Sequence, residues 1–292
     1  MRLSLPHPQN SVIELASLSP IVKNKHNGSP SQSYVFDNAG QQTAARFTAL
    51  SAMFDPGTIR HLEERGIGQG WLCVEVAAGG GSIAVWLSER VSPSGRILAT
   101  DIDTRFLESL QRPNLEVRRH DIATDPLPEA AFDLVHARLV LGHLPEREKA
   151  LGHMVAALNP GGWLLVEDFD ALSIRPDSIV NPVEVSLKAD FSMHQVMTER
   201  GVDLRYGRLL AGRLRAHGLL DVGAEGRMFM WEGGSLGANL LRVNCEQLRE
   251  AMIESGSLTE QEFQQDLRRL DEADFMRPSP VMWAAWGRRP SK

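Results

Sequence analysis

Three acidic side chains lie in or directly after three successive apolar segments of the chain. Glu75 lies inside the first segment, Asp101 ends the second, and Asp121 follows the third. A carboxylate inside an apolar strand is costly to bury unless it is hydrogen-bonded. The carboxyl ends of neighbouring strands in a doubly wound sheet face one crevice, so all three acids would meet one ligand there. An acid at the second strand end suits ribose hydroxyl groups, and one at the third suits an amino group such as that of adenine.

A glycine-rich turn follows the first of these apolar segments. Residues 79–84 read G-G-G-S-I-A, which fits the pattern G-x-G-x-x-[G/A] between a strand and a helix. Glycine lets the backbone approach a ligand closely, and the first turn of a helix offers unpaired N–H groups. A turn that only needs tight packing could carry the same glycines, so the pattern gains its weight from the acids around it.

Candidates for proton transfer follow the fourth and fifth predicted strands and continue into a later helix. We predict catalytic roles for His143, Asp168 and His194. The alternatives are packing or helix capping for His143 and an ordinary core or surface helix for His194. Glu167 and Asp168 point to opposite sides of an extended strand, so at most one of them should reach a substrate. His136, inside the fourth strand, is predicted to be structural.

Methionine and tryptophan residues later in the chain indicate an apolar pocket. These residues are Met193, Met197, Met228, Met230 and Trp231. Methionine adapts its shape well at binding surfaces, although a place in the ordinary core would also explain them.

Strands alternate with helices between residues 71 and 170, which predicts an α/β fold with an open parallel sheet covered on both faces. The predicted strands are 71–76, 96–101, 115–119, 132–137, 163–167, 221–231 and 281–286. The predicted helices are 82–90, about 104–110, 146–158 and 208–217, with helical inserts at 171–200 and 235–275. Two further helices are predicted before the first strand, separated by the turn Asp55-Pro56-Gly57, with Thr58 as the N-cap of the second.

This constellation resembles the class I S-adenosylmethionine-dependent methyltransferases over roughly residues 36–170. The first motif of that family, acid-x-Gly-x-Gly-x-Gly, appears at residues 75–81 with Ala77 in place of the first glycine. The turn Leu158-Asn159-Pro160-Gly161-Gly162 also matches the family's entry into its fifth strand. The resemblance implies that the cofactor is bound by Tyr34, Arg46, Glu75, Ala77, Gly79, Gly81, Asp101, Ile102, Asp121, Ile122, Ala137 and Arg138.

The resemblance also implies a Rossmann-like methyltransferase fold, which is a doubly wound, seven-stranded, mostly parallel sheet with an N-terminal helical cap and helical inserts. The strands near 221–231 and 281–286 would supply the antiparallel hairpin that closes the sheet. The predicted plan is a flexible N-terminal arm (1–33), a helical cap (34–70), a cofactor-binding core (71–170), a helical substrate-lid insert (171–217) and the hairpin strands with a second helical insert (218–292).

The function implied by the resemblance is methyl transfer from S-adenosylmethionine to a small organic metabolite, with S-adenosylhomocysteine as the product. The transfer is an in-line displacement, so alignment carries most of the catalysis and a general base is optional. O-methylation in secondary metabolism, as in actinobacterial small-molecule methyltransferases, is the leading hypothesis, with N- or C-methylation as alternatives. The glycine pattern also fits an NAD-dependent Rossmann oxidoreductase, but neither Tyr34 nor Tyr206 begins a Tyr-x-x-x-Lys pair.

Composition narrows the classes of partner and site. The chain has 292 residues, a formal net charge of −6 and two cysteines, Cys73 and Cys245. The acidic balance argues against a nucleic-acid partner, and the cysteine count argues against a disulfide framework or a cysteine-based zinc site. No apolar run reaches the roughly 18 residues of a transmembrane helix. We therefore expect a soluble cytoplasmic protein with no membrane or metal partner, and a homodimer formed with the help of the arm is a further hypothesis.

Overall fold

The computed structural model describes residues 35–36, 42–174 and 187–291, all within the unit Ser33–Lys292. The predicted arm, the predicted cofactor residue Tyr34 and part of the first insert lie outside the described residues. No helix in the described ranges is long and apolar enough to cross a membrane.

One sheet of seven strands organises the described chain. Its strands are β1 (Leu72–Val76), β2 (Arg96–Asp101), β3 (Leu115–Arg119), β4 (Phe132–Arg138), β5 (Leu158–Asp170), β6 (Leu220–Arg227) and β9 (Val281–Arg288). Their order is β3-β2-β1-β4-β5-β9-β6. Strand β9 pairs antiparallel with both β5 and β6, and the other four pairs are parallel. The predicted seven-stranded, mostly parallel sheet is confirmed. The strand order reverses between β1 and β4, which is where doubly wound sheets open a ligand crevice.

Helices cover both faces of the sheet and build the inserts. They are α1 (Thr43–Glu64), α2 (Ser82–Val91), α3 (Arg147–Ala157), α4 (Lys188–Glu199), α5 (Tyr206–Ala216), α6 (Leu236–Glu254) and α7 (Glu260–Arg269). The insert helices α4, α6 and α7 share a core of their own, which contains Met193, Leu248 and Phe263. A short two-stranded sheet, β7 (Met230–Glu232) with β8 (Met276–Pro278), adjoins this core through Trp231.

The prediction of two helices before β1 is wrong, because α1 continues through Pro56. Proline removes a backbone donor and normally breaks a helix. Here the residues around it are anchored from outside: Asp55 accepts a hydrogen bond from Arg138, and Thr58 donates one to Glu167. Thr58 is therefore a buried contact with the sheet rather than an N-cap, and these tertiary contacts outweigh the local turn signal.

The helix predicted near 104–110 is also absent, and this segment forms successive turns. Carboxylates of Asp101 and Asp103 accept the backbone N–H groups of Asp103 and Arg105 at 3.0 and 3.2 Å. Such local side-chain bonds compete with helix formation. The turns place Leu107 and Leu110 against Gly81, where a Cβ would lie 2.9 and 2.3 Å from them.

The strand predicted at 221–231 is divided between the two sheets. It ends as β6 at Arg227 and resumes as β7 at Met230. Phe229 lies between these two strands. Its backbone N–H donates to Oγ of Ser279 at 3.0 Å, and its C=O accepts the N–H of Ser279 at 2.7 Å. The segment thus stops pairing with β9 after Arg227, and Ser279 supplies the hydrogen-bond partners of Phe229 instead.

Candidate functional site

The glycine turn between β1 and α2 adopts left-handed backbone conformations. The φ angles are +53° at Ala77, +55° at Gly79 and +76° at Gly81, which is the N-cap of α2. Side chains rarely adopt such angles, so Ala77 carries strain at the position where the family motif has glycine. Because Leu107 and Leu110 leave no space for a Cβ at Gly81, this glycine is required by packing as well as by φ.

Asp101 joins the end of β2 to the glycine turn. Its Oδ2 accepts the N–H of Gly79 at 2.9 Å, and its Oδ1 accepts the N–H of Asp103 at 3.0 Å. Burial raises the pKa of this carboxyl, although the backbone N–H groups act in the opposite direction. The predicted meeting of the second strand-end acid with the turn is therefore present, and its role in ligand binding remains a prediction.

The third strand-end acid lies at the outer side of the crevice. Asp121 follows β3 and accepts the N–H of Ala123 at 3.0 Å, while Ile122 beside it is buried. Ile102 follows β2, and its carbonyl accepts a bond from Arg119 at 3.1 Å. Since β2 is the neighbour of β1 and β3 is the next strand outward, Ile102 and Asp121 stand in the order that the adenosine prediction requires.

Glu75 is buried in β1 with one carboxylate oxygen still available. Its Oε1 lies 3.6 Å from Nδ1 of His136, and its Oε2 has no hydrogen-bond partner among the described residues. A buried carboxylate oxygen without a partner is costly, so this oxygen fits a ligand that brings a donor or a cation. His136, predicted to be structural, is wholly buried and also contacts Glu167.

The side chains of Ala137 and Arg138, which are predicted to border the cofactor, contact the core and helix α1. Ala137 is part of the buried core beside β4. Arg138 donates to Asp55 at 2.8 Å and to Thr58 at 3.0 Å, so its guanidinium joins β4 to α1. A contact between either residue and the cofactor stays a prediction.

A cavity of about 70 Å³ lies beside the ends of β4 and β5, under the insert helices α4 and α6. His143, Asp168 and His194 all line it, although they come from three different elements. Arg46 of α1 lines it as well and donates to Asn244 of α6 at 3.0 Å. The structure thus brings the three predicted catalytic residues together, while their catalytic roles remain predictions.

The apolar wall of the cavity confirms only part of the predicted pocket. Met193, Met197 and Trp231 line the cavity. Met228 and Met230 do not, because their side chains are 54% and 52% exposed. Alternation along β7 explains the exposure of Met230, since successive residues of a strand face opposite sides and Trp231 takes the inner one. Met228 precedes this strand.

Asp168 is a buried acid in the wall of the cavity. Its carboxylate accepts the N–H of Gly142 at 2.7 Å and that of Phe169 at 3.0 Å. Burial raises its pKa to about 6, against the effect of these hydrogen bonds. A carboxylate with this pKa is largely ionised at neutral pH and can accept a proton there.

His143 faces the same cavity in its neutral form. Burial, together with the positive charges of Arg46 and Arg147, lowers its pKa to about 3. A neutral imidazole can accept or donate one hydrogen bond but carries no charge into the cavity.

A buried charge cluster at the cavity was not found by sequence reasoning. Nε2 of His194 lies 3.8 Å from Oδ1 of Asp190, whose other oxygen accepts a bond from Arg277 at 3.0 Å. The only sign of this cluster in the sequence is Arg277, which stands between Met276 and Pro278. Its side chain is buried on the inner face of β8. Among the described residues, no group of three or more His, Cys, Asp or Glu side chains is arranged to hold a metal ion.

Known proteins resemble the chain most clearly in the sheet. A methyltransferase domain model matches residues 74–166. This segment is a class I methyltransferase domain. The methyltransferase domain contains the glycine turn and the three strand-end acids, whereas Arg46, Asp168 and His194 lie outside the matched residues.

Relatives and a solved structure agree with this assignment. Methyltransferases str2 and str3 of Strobilurus tenacellus are 33% identical over 105 residues and 30% identical over 160 residues, covering 36% and 53% of this chain. The chain spans 38% and 55% of their own lengths. Phosphoethanolamine N-methyltransferase 2 of Haemonchus contortus, solved with phosphomonomethylethanolamine and S-adenosylhomocysteine, has a TM-score of 0.56 at 14% identity, over 87% of this chain and 59% of that one. The predicted Rossmann-like methyltransferase fold is confirmed.

Proposed function

We propose that this chain transfers a methyl group from S-adenosylmethionine to a small organic metabolite, and that the acceptor is a hydroxyl group. The observation that carries the proposal is the meeting of Glu75, Asp101 and the glycine turn where the strand order reverses. S-adenosylmethionine supplies an electrophilic methyl group when it is bound.

The cofactor half of the proposal assigns one kind of contact to each acid. Asp101 would accept hydrogen bonds from the ribose hydroxyl groups, and Asp121 would accept one from the adenine amino group. Glu75 would direct its buried Oε2, which has no partner among the described residues, toward the cationic end of the cofactor. The positive φ angles of Gly79 and Gly81 let the backbone approach that ligand closely.

The acceptor half depends on the cavity beside β4 and β5. Its wall is mostly apolar, and Asp168 is positioned to take the proton that a hydroxyl group loses as it is methylated. The cavity of about 70 Å³ is smaller than ligand pockets of ~300–1,000 Å³. We infer that α4 and α6 separate to admit the acceptor, as expected for a substrate lid, and that a largely apolar secondary metabolite fits this wall best.

Calorimetry tests the cofactor half. Titrations with S-adenosylmethionine and S-adenosylhomocysteine are expected to give binding, and a titration with NAD is expected to give none. Binding of NAD without binding of either sulfur compound would favour the oxidoreductase alternative and overturn the proposal.

An acceptor screen tests the second half. The purified chain and S-adenosylmethionine are incubated with hydroxylated aromatic compounds, with amines and with enolisable ketones, and the release of S-adenosylhomocysteine is measured. Turnover with the hydroxyl compounds supports O-methylation. Turnover confined to the amines or to the ketones would assign N- or C-methylation instead.

A further inference from the structure

We propose that His136 is a positioning residue of the cofactor site, where its imidazolium form bridges Glu75 and Glu167 and thereby connects the cofactor acid to helix α1. The inference rests on the proposed function for the identity of the cofactor. The bridge itself is a property of the protein without ligand.

The bridge lies across three adjacent strands of the sheet. Glu75 of β1 and His136 of β4 are direct neighbours in the parallel register. Nε2 of His136 is hydrogen-bonded to Oε2 of Glu167 on β5 at 3.4 Å. Nδ1 lies 3.6 Å from Oε1 of Glu75, which is an ion-pair distance, and it has no hydrogen-bond partner among the described residues. His136 is 0% exposed, and both carboxylates are buried. Each ring nitrogen therefore faces a carboxylate oxygen in a region without solvent.

This geometry selects the protonated ring. A neutral imidazole has one N–H donor, so its second nitrogen would direct a lone pair at a carboxylate. An imidazolium has a donor on each nitrogen and places one positive charge between two negative ones. Burial alone would lower the pKa of His136, but the hydrogen bond to Glu167 and the negative charges of Glu167 and Glu75 raise it overall.

The bridge continues from Glu167 into α1. Oε2 of Glu167 also accepts a hydrogen bond from Thr58 at 2.5 Å, and Thr58 in turn accepts one from Arg138 at 3.0 Å. The helix that carries Thr58 also places Phe47 against the glycine turn, where a Cβ at Gly79 would lie 3.0 Å from the Phe47 ring. The position of α1 thus depends on the same carboxylate that His136 holds.

Other charged groups near the bridge do not replace its proton. The groups that face it are Glu75 from β1, Arg138 from β4, Glu167 from β5, and Asp55 and His61 from α1. Arg138 is paired with Asp55 at 2.8 Å, and its charge also favours the ionised form of Glu167, but it does not lie between the two carboxylates. His61 is neutral at neutral pH, because burial lowers its pKa. Loss of the His136 proton therefore leaves Glu75 and Glu167 without the cation that lies between them.

The sign of the pH effect follows from the raised pKa of His136. The stabilisation is complete below the ordinary histidine value of about 6.5 and is lost as pH rises through the higher native pKa. We expect affinity for S-adenosylhomocysteine to fall in the same range, because Glu75 is then no longer held in place.

Nuclear magnetic resonance of the ligand-free protein, labelled with ¹³C in its histidine rings, tests the bridge directly. We expect the His136 signal, assigned by its loss in His136→Gln, to be that of an imidazolium at pH 7. Glu167→Gln removes one carboxylate and should move the titration of His136 to lower pH. His217→Gln is the matched control, since His217 contacts the single surface carboxylate of Glu148 at 3.3 Å.

Calorimetric titration with S-adenosylhomocysteine between about pH 6 and 9 tests the positioning role. Wild type and His217→Gln should lose affinity on the alkaline side, and Glu167→Gln should lose it at lower pH. His136→Gln should bind about tenfold more weakly, with no such pH dependence.

A neutral His136 ring at pH 7, or the same pH profile in Glu167→Gln as in wild type, would overturn the inference. Absence of S-adenosylhomocysteine binding in wild type would overturn the proposed function instead, and the ring titration would still decide the bridge.

Discussion

Glu167 and Asp168 are consecutive residues of β5, yet their buried carboxylates lie in opposite electrostatic environments. Burial would raise the pKa of Glu167, but the bonds and charges of His136, Arg138 and Thr58 lower it overall. Asp168 accepts hydrogen bonds only from backbone N–H groups within the described part of the chain, and burial raises its pKa to about 6. Glu167 thus places a fixed negative charge on the side of β5 that faces the crevice at β1 and β4. Asp168 places a titratable carboxyl group on the side that faces the cavity. Paired acids with separated pKa values are a recurrent mark of catalytic sites.

The strongest test of this division is Asp168→Asn. We expect turnover with the acceptor to fall by about 10²–10⁴-fold, because an amide cannot take the proton. Affinity for S-adenosylhomocysteine should stay within about twofold, less than ~0.5 kcal/mol, since the proposed cofactor contacts of Glu75 and Asp101 lie on the other side. In wild type, kcat/KM should rise with pH through about 6 and then level, as the carboxyl becomes ionised. A variant that retains this rise would exclude Asp168 as the base.

The reciprocal test is Asp101→Ala on the cofactor side. We expect affinity for S-adenosylhomocysteine to weaken by about 1–3 kcal/mol, because charged hydrogen bonds to the ribose and to the Gly79 N–H are lost. Asp103→Ala is the control, since its carboxylate pairs with Arg105 at the surface and should matter little. Calorimetry checks both variants, and equal losses in the two would remove Asp101 from the cofactor site.

Two glycines of α5 provide a packing test of the difference between the two sides of β5. A Cβ at Gly207 would lie 2.4 Å from the carbonyl oxygen of Asp168, so Gly207→Ala should destabilise the fold by about 1–3 kcal/mol. Gly212 in the same helix has no atom within 4 Å of its Cβ position, and Gly212→Ala should stabilise by about 0.5–1 kcal/mol. Denaturant unfolding measures both changes. We also expect Gly207→Ala to reduce turnover without weakening cofactor binding, and the reverse pattern would contradict the division.

The smallest expected effect is that of His143→Ala. Because His143 is already neutral, its loss should cost turnover only about three- to tenfold, up to ~1.4 kcal/mol. Cofactor affinity should change less, and the pH profile should keep the inflection near 6 that belongs to Asp168. Equal losses in turnover and cofactor affinity would indicate a packing role.

The sequence predicted the sheet well because its strands are short apolar runs separated by glycine and proline turns. The glycine turn and Asp101 were found for the same reason, since they adjoin one strand each and the topology brings strand ends together. Where local signals competed with distant contacts, prediction failed. Pro56 suggested a break in α1, but the helix continues through it. Arg138 donates a hydrogen bond to Asp55 and Thr58 donates one to Glu167, on either side of the proline.

The strands along the chain, the glycine turn and the acids at the strand ends could all be predicted from the amino-acid sequence, because each depends on neighbours along the chain. The order of the strands in the sheet and the pairing of the buried charges depend on the tertiary structure. His136 lies between Glu75 and Glu167, and Arg277 reaches Asp190 from 87 residues away. The pKa of an acid depends on burial and on such distant partners. Glu167 and Asp168 therefore differ in their pKa values although they are adjacent in sequence.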